Sequence, residues 1–319
     1  MQRRHFLLGS ACTALGVTAA QAAAPRPVKV VIPYAAGANS DVFTRALAQQ
    51  VTELGGPQFV VENRPGGGGA IAAMAVKQTA PNGLTLLAAN VGSHAILPAI
   101  KPLSYDPLRD FVGVTQLFYF PNFLIIPRRI PADSMAAFIA WAGQQSQSLS
   151  LGSQGVGSPG HLLGAMLAQQ GAMNLVHVPY AAGGGPMNID LVAGRLDMVF
   201  STYASLRSHV EQGKARFLAV ASAQRSAMLP DVPTLAEAGL PGVELDSWFG
   251  LVAPAGTASH LVQALGGWFA QAAQTPHMQQ LFAAQGVTLQ VEGAQALEQR
   301  IRRDAQRFAR LAQQVPLNS

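Results

Sequence analysis

The sequence predicts a two-lobed α/β fold, in which each lobe is a mixed β-sheet flanked by helices and two strands connect the lobes. Short β-rich runs alternate with helical patterns from VKVVIPY at residues 28–34 to RFLAVAS at residues 216–222, as in sheets covered by helices on both faces. The chain has 319 residues, which suits two lobes better than one core. Two long apolar strands that end in proline, at residues 116–127 and 246–256, are typical of chain crossings between lobes.

The two crossings divide the chain into segments. Residues 1–23 are predicted to form a cleaved export signal, and residues 24–120 the first part of lobe 1. Lobe 2 is predicted to span residues 121–248, and the C-terminal helices within residues 249–319 to complete lobe 1. Two lobes joined by two strands make a hinge.

The predicted export signal begins with Arg3 and Arg4, continues with a modest apolar run, and ends in small residues with cleavage near Ala22 or Ala23. The order RRHFLL resembles a twin-arginine signal, and a general secretory signal is the alternative. Either route predicts a periplasmic protein. Cys12 is the one cysteine, so the mature chain is expected to lack thiolate metal sites and cysteine nucleophiles.

Composition argues against a membrane span or a nucleic-acid surface. Apolar residues make up 49% of the chain and charged residues 12%, yet no mature segment approaches the roughly 20 uninterrupted apolar residues that span a bilayer. Arginine is concentrated only at residues 295–314. There an apolar stripe at helical spacing predicts an amphipathic terminal helix whose arginines form the solvent-exposed face. That stripe is Leu297, Ile301, Phe308 and Leu311.

The strand-to-helix turn at residues 34–41, YAAGANSD, has the features of an anion site. Gly37 permits a positive φ, and Asn39 or Ser40 can cap the helix that follows. Free N–H groups in the first turn and the helix dipole would both favour negative charge. The predicted buried face of this helix is Phe43, Leu47, Val51 and Leu54.

Three further glycine-rich turns repeat this pattern. RPGGGG at residues 64–69 precedes a helix near Ala70, GSQGVGSPGH at residues 152–161 precedes one over residues 158–170, and PYAAGGGP at residues 179–186 precedes one near residues 186–193. One such turn alone would more simply be structural. Because ligands of open α/β sheets bind at the carboxyl ends of strands, four turns predict a ligand site there.

Motifs for catalysis are missing from the sequence. RPGGGGA lacks the Lys-Ser/Thr of a P-loop, and neither a GxSxG elbow nor an HExxH pair occurs. We therefore expect no cofactor and no metal. The enzyme alternative is a periplasmic hydrolase that uses Ser153 or Ser158, but no general base lies at a recognisable spacing.

A series of motifs resembles the Bug family of periplasmic solute-binding receptors, which serve tripartite tricarboxylate transporters. The similarity runs from about Val28 to Leu311. Its opening signature is present as Pro33, Tyr34, Gly37 and Asp41, with Ala38 in place of the second glycine. The other matching segments are VVENRPGGGG (60–69), PNGLTLL (81–87), YDPLRDF (105–111), VHVPY (176–180), LPDVPTLAEAGLPG (229–242) and WFGLVAPAGT (248–257).

The resemblance implies a type II-like periplasmic binding clamp that closes on a carboxylate and catalyses nothing. The receptor would be a monomer, and its partner would be a membrane permease of the tripartite tricarboxylate transporter type. A signalling protein is the alternative partner, and no nucleic acid is expected to bind. Carried over by position, it implies ligand-binding residues in both lobes. They are Tyr34, Gly37, Asn39, Ser40, Asp41, Asn90 and Ser93 in lobe 1, and Ser153, Gln154, Gly157, His161, Tyr180, Gly183 and Ser201 in lobe 2.

Two departures from the family pattern bear on the ligand. Ala181 stands at a position that is often basic, and Ser201 stands where an acid or amide often follows LDxxF. Fewer charges and more small groups predict a roomier and less polar cleft. We therefore expect a dicarboxylate with a bulky or apolar body, aromatic or of medium chain length, rather than citrate or an amino acid.

Overall fold

The computed structural model describes residues 26–180 and 183–315. The predicted export signal and Ala181 lie outside these residues. Two mixed sheets flanked by helices confirm the predicted two-lobed α/β fold. We call the six-stranded sheet with its helices lobe 1 and the five-stranded sheet with its helices lobe 2.

Lobe 1 is built on a sheet with the strand order β11-β4-β10-β3-β1-β2. Parallel pairing joins β1 to β2 and β3, whereas β10 runs antiparallel to β3 and β4. Its strands are β1 (Val28–Ile32), β2 (Phe59–Asn63), β3 (Thr85–Asn90), β4 (Phe111–Pro121), β10 (Asp246–Pro254) and β11 (Thr288–Gly293). Its helices are α1 (Asn39–Glu53), α2 (Ala70–Lys77), α3 (Leu97–Ile100), α8 (Ser259–Ala273), α9 (Pro276–Ala284) and α10 (Ala294–Ala312), with a π-helical turn at Gly92–Ile96.

Lobe 2 is built on a sheet with the strand order β7-β6-β8-β5-β9. Strand β6 is parallel to β7 and β8, and β5 is antiparallel to β8 and β9. Its strands are β5 (Phe123–Pro127), β6 (Leu149–Ser153), β7 (Leu175–Pro179), β8 (Met198–Ser201) and β9 (Ala215–Val220). Its helices are α4 (Met135–Ala142), α5 (Pro159–Gln170), α6 (Gly184–Val192) and α7 (Tyr203–Glu211).

The chain crosses between the sheets at two places. Strand β4 ends at Pro121 and β5 begins at Phe123, so Asn122 alone connects the two sheets on the outward crossing. On the return, β9 ends at Val220 and β10 begins at Asp246. The lobe boundaries at 120 and 248 remain a prediction, which the change of sheet at Asn122 supports.

Apolar packing holds lobe 1 together and also joins the two lobes. One core lies within lobe 1 and includes Phe43, Phe118 and Phe282, whose rings are in contact. A second core runs without interruption from Leu87 in lobe 1 to Leu163 in lobe 2. Each fully buried side chain of this size contributes about 1.5 to 3 kcal/mol, so this shared core stabilises the contact between the lobes.

Three local expectations differ from the structure. Ala38, and not Asn39 or Ser40, is the N-cap of α1, and no side chain caps that helix. Leu54 follows the end of α1 and is 41% exposed, so it is not part of the buried face. Helix α6 begins at Gly184, earlier than expected, because the glycines continue directly into its first turn.

The terminal arginine-rich helix, α10, has the expected apolar face. Leu297, Ile301 and Phe308 are buried, and Leu311 packs partly buried against the same core. Among the helices in the described ranges, none has the length and apolar character to cross a bilayer.

Candidate ligand-binding cleft

A cavity of about 330 Å³ lies between the lobes, near the carboxyl ends of β1, β3 and β8. This volume is within the usual range for small-molecule sites, about 300 to 1,000 Å³. Seven of the predicted ligand-binding residues line it, namely Tyr34, Gly37, Asn39, Ser40, Asn90, Gln154 and Ser201. The other seven, Asp41, Ser93, Ser153, Gly157, His161, Tyr180 and Gly183, lie outside its lining. Ligand contact by any of them stays a prediction.

The part of the cavity wall that the structure describes carries no charged side chain. Its polar groups are amides, hydroxyls and main-chain groups, and its largest apolar side chains are aromatic. Tyr34 and Phe249 are in edge-on contact with ring centroids 6.2 Å apart, and Phe120 lies 5.8 Å from Phe249. Burial raises the pKa of Tyr34 to about 12, so its hydroxyl is a neutral donor.

Among the buried lobe 1 donors that have no hydrogen-bond partner in the described residues, two belong to the cavity wall. They are the Ser40 hydroxyl, at the start of α1, and the Asn90 side-chain amide nitrogen, at the end of β3. Both residues line the cavity. Leaving such a group unpaired costs about 1 to 3 kcal/mol, so a ligand acceptor placed between them would recover that energy.

Asp41 closes the turn at residues 34–41 from the inside. The Gly37 N–H, at φ +80°, donates to an Asp41 carboxylate oxygen over 2.9 Å. The other carboxylate oxygen accepts from Arg45 Nε at 2.8 Å and from Asn63 Nδ2 at 2.9 Å. Because the Gly37 N–H donates to Asp41, it is not free to bind an anion. Asp41 fixes the shape of the turn but does not itself line the cavity.

Lobe 2 contributes the polar cluster, Asn188, Ser201, Thr202 and Ser205, all of which line the cavity. Ser201 Oγ lies 2.9 Å from Ser205 Oγ, and Thr202 Oγ1 caps α7 by accepting the Ser205 N–H. Thr202 Oγ1 also accepts a hydrogen bond of 2.5 Å from Asn39 Nδ2 of lobe 1. This bond crosses the cleft, so the lobes are in a closed arrangement.

Glycines outside the cavity lining allow the two lobes to approach closely. A Cβ on Gly68 would lie 2.4 Å from the carbonyl oxygen of Val156, and one on Gly157 would lie 2.3 Å from Leu97 Cδ2. The smooth turns at residues 64–69 and 152–161 therefore serve contact between the lobes.

Ser153 belongs to a cluster with two histidines outside the cavity lining. Its hydroxyl lies 2.6 Å from His177 Nε2, and the His177 ring stacks on His161 with centroids 4.1 Å apart. Ser153 is fully buried and outside the cavity lining, so this serine–histidine pair cannot reach a ligand in the cleft. Ser158 is also fully buried, with its hydroxyl capping α5. The geometry thus contradicts the hydrolase alternative.

His161 makes the stability of the folded chain sensitive to acid. Burial, and then the neighbouring His177, lowers its pKa from 6.5 to about 4. As pH falls from 6.5 towards 4, the unfolded chain gains protons that the folded chain excludes, so stability falls over this window. His161→Asn, which keeps an acceptor for the Gly157 N–H, is expected to remove about 2 to 3 kcal/mol of that loss. Urea unfolding between pH 4 and 7.5 measures it, and an unchanged slope in the variant would contradict the assignment.

Other predicted residues serve local structure. The Tyr180 hydroxyl donates to Asp190 over 2.6 Å, and Tyr105 donates to the Ser93 carbonyl oxygen over 2.7 Å. Gly183, at φ +93°, is the N-cap of α6 and directly precedes Gly184, which lines the cavity. Within the described ranges, no three His, Cys, Asp or Glu side chains converge to hold a metal ion.

The crossing strands supply lining residues that the sequence analysis missed. Phe120, Asn122, Ser247 and Phe249 form what we call the floor of the cavity. In the sequence they resemble interior strand residues, and their one signal is i, i+2 spacing on each crossing. Asn188 and Ser205 were not predicted because they lie within α6 and α7, and the predicted residues come from strand-to-helix turns.

Comparisons with known proteins agree with this architecture. Residues 43–317 match the family described as the tripartite tricarboxylate transporter family receptor. The chain is 36% identical over 293 residues to the "UPF0065 protein in gbd 5'region" of Cupriavidus necator, covering 89% of this chain and 88% of that protein. It is 31% identical over 265 residues to protein BugT of Bordetella pertussis, covering 82% and 81%.

Two solved structures of Rhodopseudomonas palustris proteins share the fold. Rpa4515 with adipate has a TM-score of 0.86 at 30% identity, covering 91% of this chain and 97% of that chain. MatC with bound malate has a TM-score of 0.83 at 29% identity, covering 90% and 98%. The family and these neighbours are solute-binding proteins and not enzymes. This chain therefore belongs to the tripartite tricarboxylate transporter receptor family, as a periplasmic solute-binding protein of the Bug type.

Proposed function

We propose that this receptor captures a dicarboxylate with a bulky or apolar body and delivers it to a permease of the tripartite tricarboxylate transporter type. The observation that carries the proposal is the pair of partnerless buried donors, Ser40 Oγ and Asn90 Nδ2, in a cavity whose described wall has no charged side chain. Neutral donors can hold a carboxylate because hydrogen bonds to an ionised acceptor are stronger than those to a neutral one.

Donors on both sides of the cavity favour a ligand with two acidic ends. Ser40 and Asn90 belong to lobe 1, and Ser201 and Ser205 line the cavity from lobe 2. A ligand closes the lobes only to the extent that it binds the closed form more tightly than the open form. A dicarboxylate meets that condition because each carboxylate can bind a different lobe.

The aromatic rings favour an apolar body between the two ends. Tyr34, Phe120 and Phe249 form a continuous aromatic wall on the lobe 1 side. Citrate would place a third carboxylate and a hydroxyl against these rings without a partner, which is costly, and the described wall offers no carboxylate for the ammonium of an amino acid. The solved relatives were crystallised with malate and adipate, which are both dicarboxylates, and adipate has the longer apolar chain.

Thermal-shift measurements on the purified protein test the ligand class. Adipate and terephthalate are expected to raise Tm by several degrees, because a ligand at about 100 times its Kd stabilises the folded state by about 2.7 kcal/mol. Hexanoate and benzoate, the matched monocarboxylates, are expected to raise Tm less and to compact the protein less in small-angle scattering. Stabilisation by citrate or amino acids alone would refute the proposal.

A further inference from the structure

The two crossings between the lobes are tied together by a side-chain pair, Asn122 and Ser247, in the floor of the cavity. Asn122 Nδ2 donates to Ser247 Oγ at 3.0 Å and to the Leu245 carbonyl oxygen at 2.8 Å. The Ser247 hydroxyl in turn donates to Asn122 Oδ1 at 3.2 Å. Both side chains are buried, and both residues line the cavity.

Backbone bonds place this pair at the pivot. The Ala221 N–H donates to the Asn122 carbonyl oxygen over 2.7 Å, and the Leu245 N–H donates to the Ala221 carbonyl oxygen over 2.8 Å. Asn122 is the one residue between β4 and β5. Since hinge rotation is absorbed by a few residues at the ends of elements, a rotation about Asn122 moves lobe 2 relative to lobe 1.

The Ser247 hydroxyl donates its one proton in a weak hydrogen bond. Its bond to Asn122 Oδ1 is longer than the usual O–H···O distance of about 2.7 to 2.8 Å, and it returns to the residue that already donates to it. A carboxylate oxygen is a stronger acceptor than a neutral amide oxygen. In a site enclosed by Phe120 and Phe249, that difference is larger than in water.

We propose that Asn122 and Ser247 are positioning residues that link ligand occupancy to the hinge angle. In this proposal the ligand carboxylate held by Ser40 and Asn90 also accepts from Ser247 Oγ at the floor, and this takes the hydroxyl bond away from Asn122 Oδ1. The bonds that Asn122 Nδ2 donates to Ser247 and Leu245 remain, so the ligand becomes part of the tie between the crossings. A ligand with no acceptor at the floor binds without fixing the hinge. This inference rests on the proposed dicarboxylate function.

Distances between the lobes, measured by pulsed electron spin resonance, test the tie. Cys12→Ser removes the single cysteine of the chain, and Gln49→Cys on α1 with Gln212→Cys after α7 place spin labels at exposed sites, one on each lobe. Without ligand, Ser247→Ala is expected to lose the narrow main peak and to shift the distribution to longer distances. With saturating adipate, the distance distribution of the wild type is expected to narrow to one short distance. The distribution of Ser247→Ala is expected to stay broad, and Ser247→Thr to recover the wild-type peak.

Ser205→Ala is the matched control, because Ser205 lines the cavity but lies on α7, away from the crossings. This substitution is expected to weaken adipate binding, but at saturating adipate its distance distribution should narrow like that of the wild type. A Ser247→Ala distribution equal to that of the wild type, with and without adipate, would overturn the hinge inference and leave dicarboxylate binding intact. If no dicarboxylate bound the wild type, the proposed function would fail. Comparing the wild type with Ser247→Ala without ligand would still show whether the bond between Asn122 and Ser247 restrains the hinge.

Discussion

Gly68→Ala is expected to prevent full closure of the cleft and to lower affinity for the dicarboxylate by at least about tenfold. The apparent affinity falls because a smaller fraction of the protein is in the closed, binding-competent state. The new Cβ would lie 2.4 Å from the Val156 carbonyl oxygen. That oxygen belongs to the main chain of the other lobe, so the contact can be relieved only by separating the lobes. Calorimetry gives the affinity, and small-angle scattering gives the compaction.

Gly67→Ala provides the control for strain within the turn. Gly67 has a φ of +59°, close to the +65° of Gly68, but its Cβ would meet only Ala70 and Ile71 at the start of α2, at 3.5 Å and 3.7 Å. It therefore carries the same left-handed backbone cost without a contact across the cleft. Equal affinities for the two variants would show that the contact between Gly68 and Val156 does not limit closure.

Ser205→Asp is expected to lower dicarboxylate affinity by about 100-fold or more. A carboxylate introduced into the polar cluster would repel the ligand carboxylate, and two like charges about 4 Å apart at an effective dielectric constant of 20 cost about 4 kcal/mol. Ser205 is in the first turn of α7, where a negative charge is favourable to the helix. The loss of binding should therefore occur without a loss of folding, which thermal unfolding checks.

Ser205→Asn is the neutral comparison for that substitution. It has nearly the same shape as aspartate and removes the same hydroxyl, so it should cost far less affinity. If the aspartate variant bound adipate as well as the asparagine variant, no ligand carboxylate would lie near the polar cluster of lobe 2.

The fold was predictable because its signals are local. Alternating strand and helix patterns, glycines at strand ends and proline-ended crossings each reflect a backbone requirement that one stretch of sequence can show. Gly37 illustrates this, since its positive φ was expected from the turn alone and is present.

The site was only partly predictable because its contacts depend on neighbours distant in sequence. Asp41 matches the opening signature, yet it turns inward to Gly37 and Asn63. Phe120 and Ser247 line the cavity only because β4 and β10 pair in register, which brings together residues 127 positions apart. A sequence shows that such residues are apolar or small, but not which side of the sheet meets a cavity.

A crystal structure of the complex with adipate tests the central claim most directly. It should show the ligand in the cleft, with one carboxylate bonded to Ser40 Oγ and Asn90 Nδ2 and the other bonded from lobe 2. An adipate found outside the cleft, or held there by arginine side chains, would contradict a neutral grip shared between the lobes.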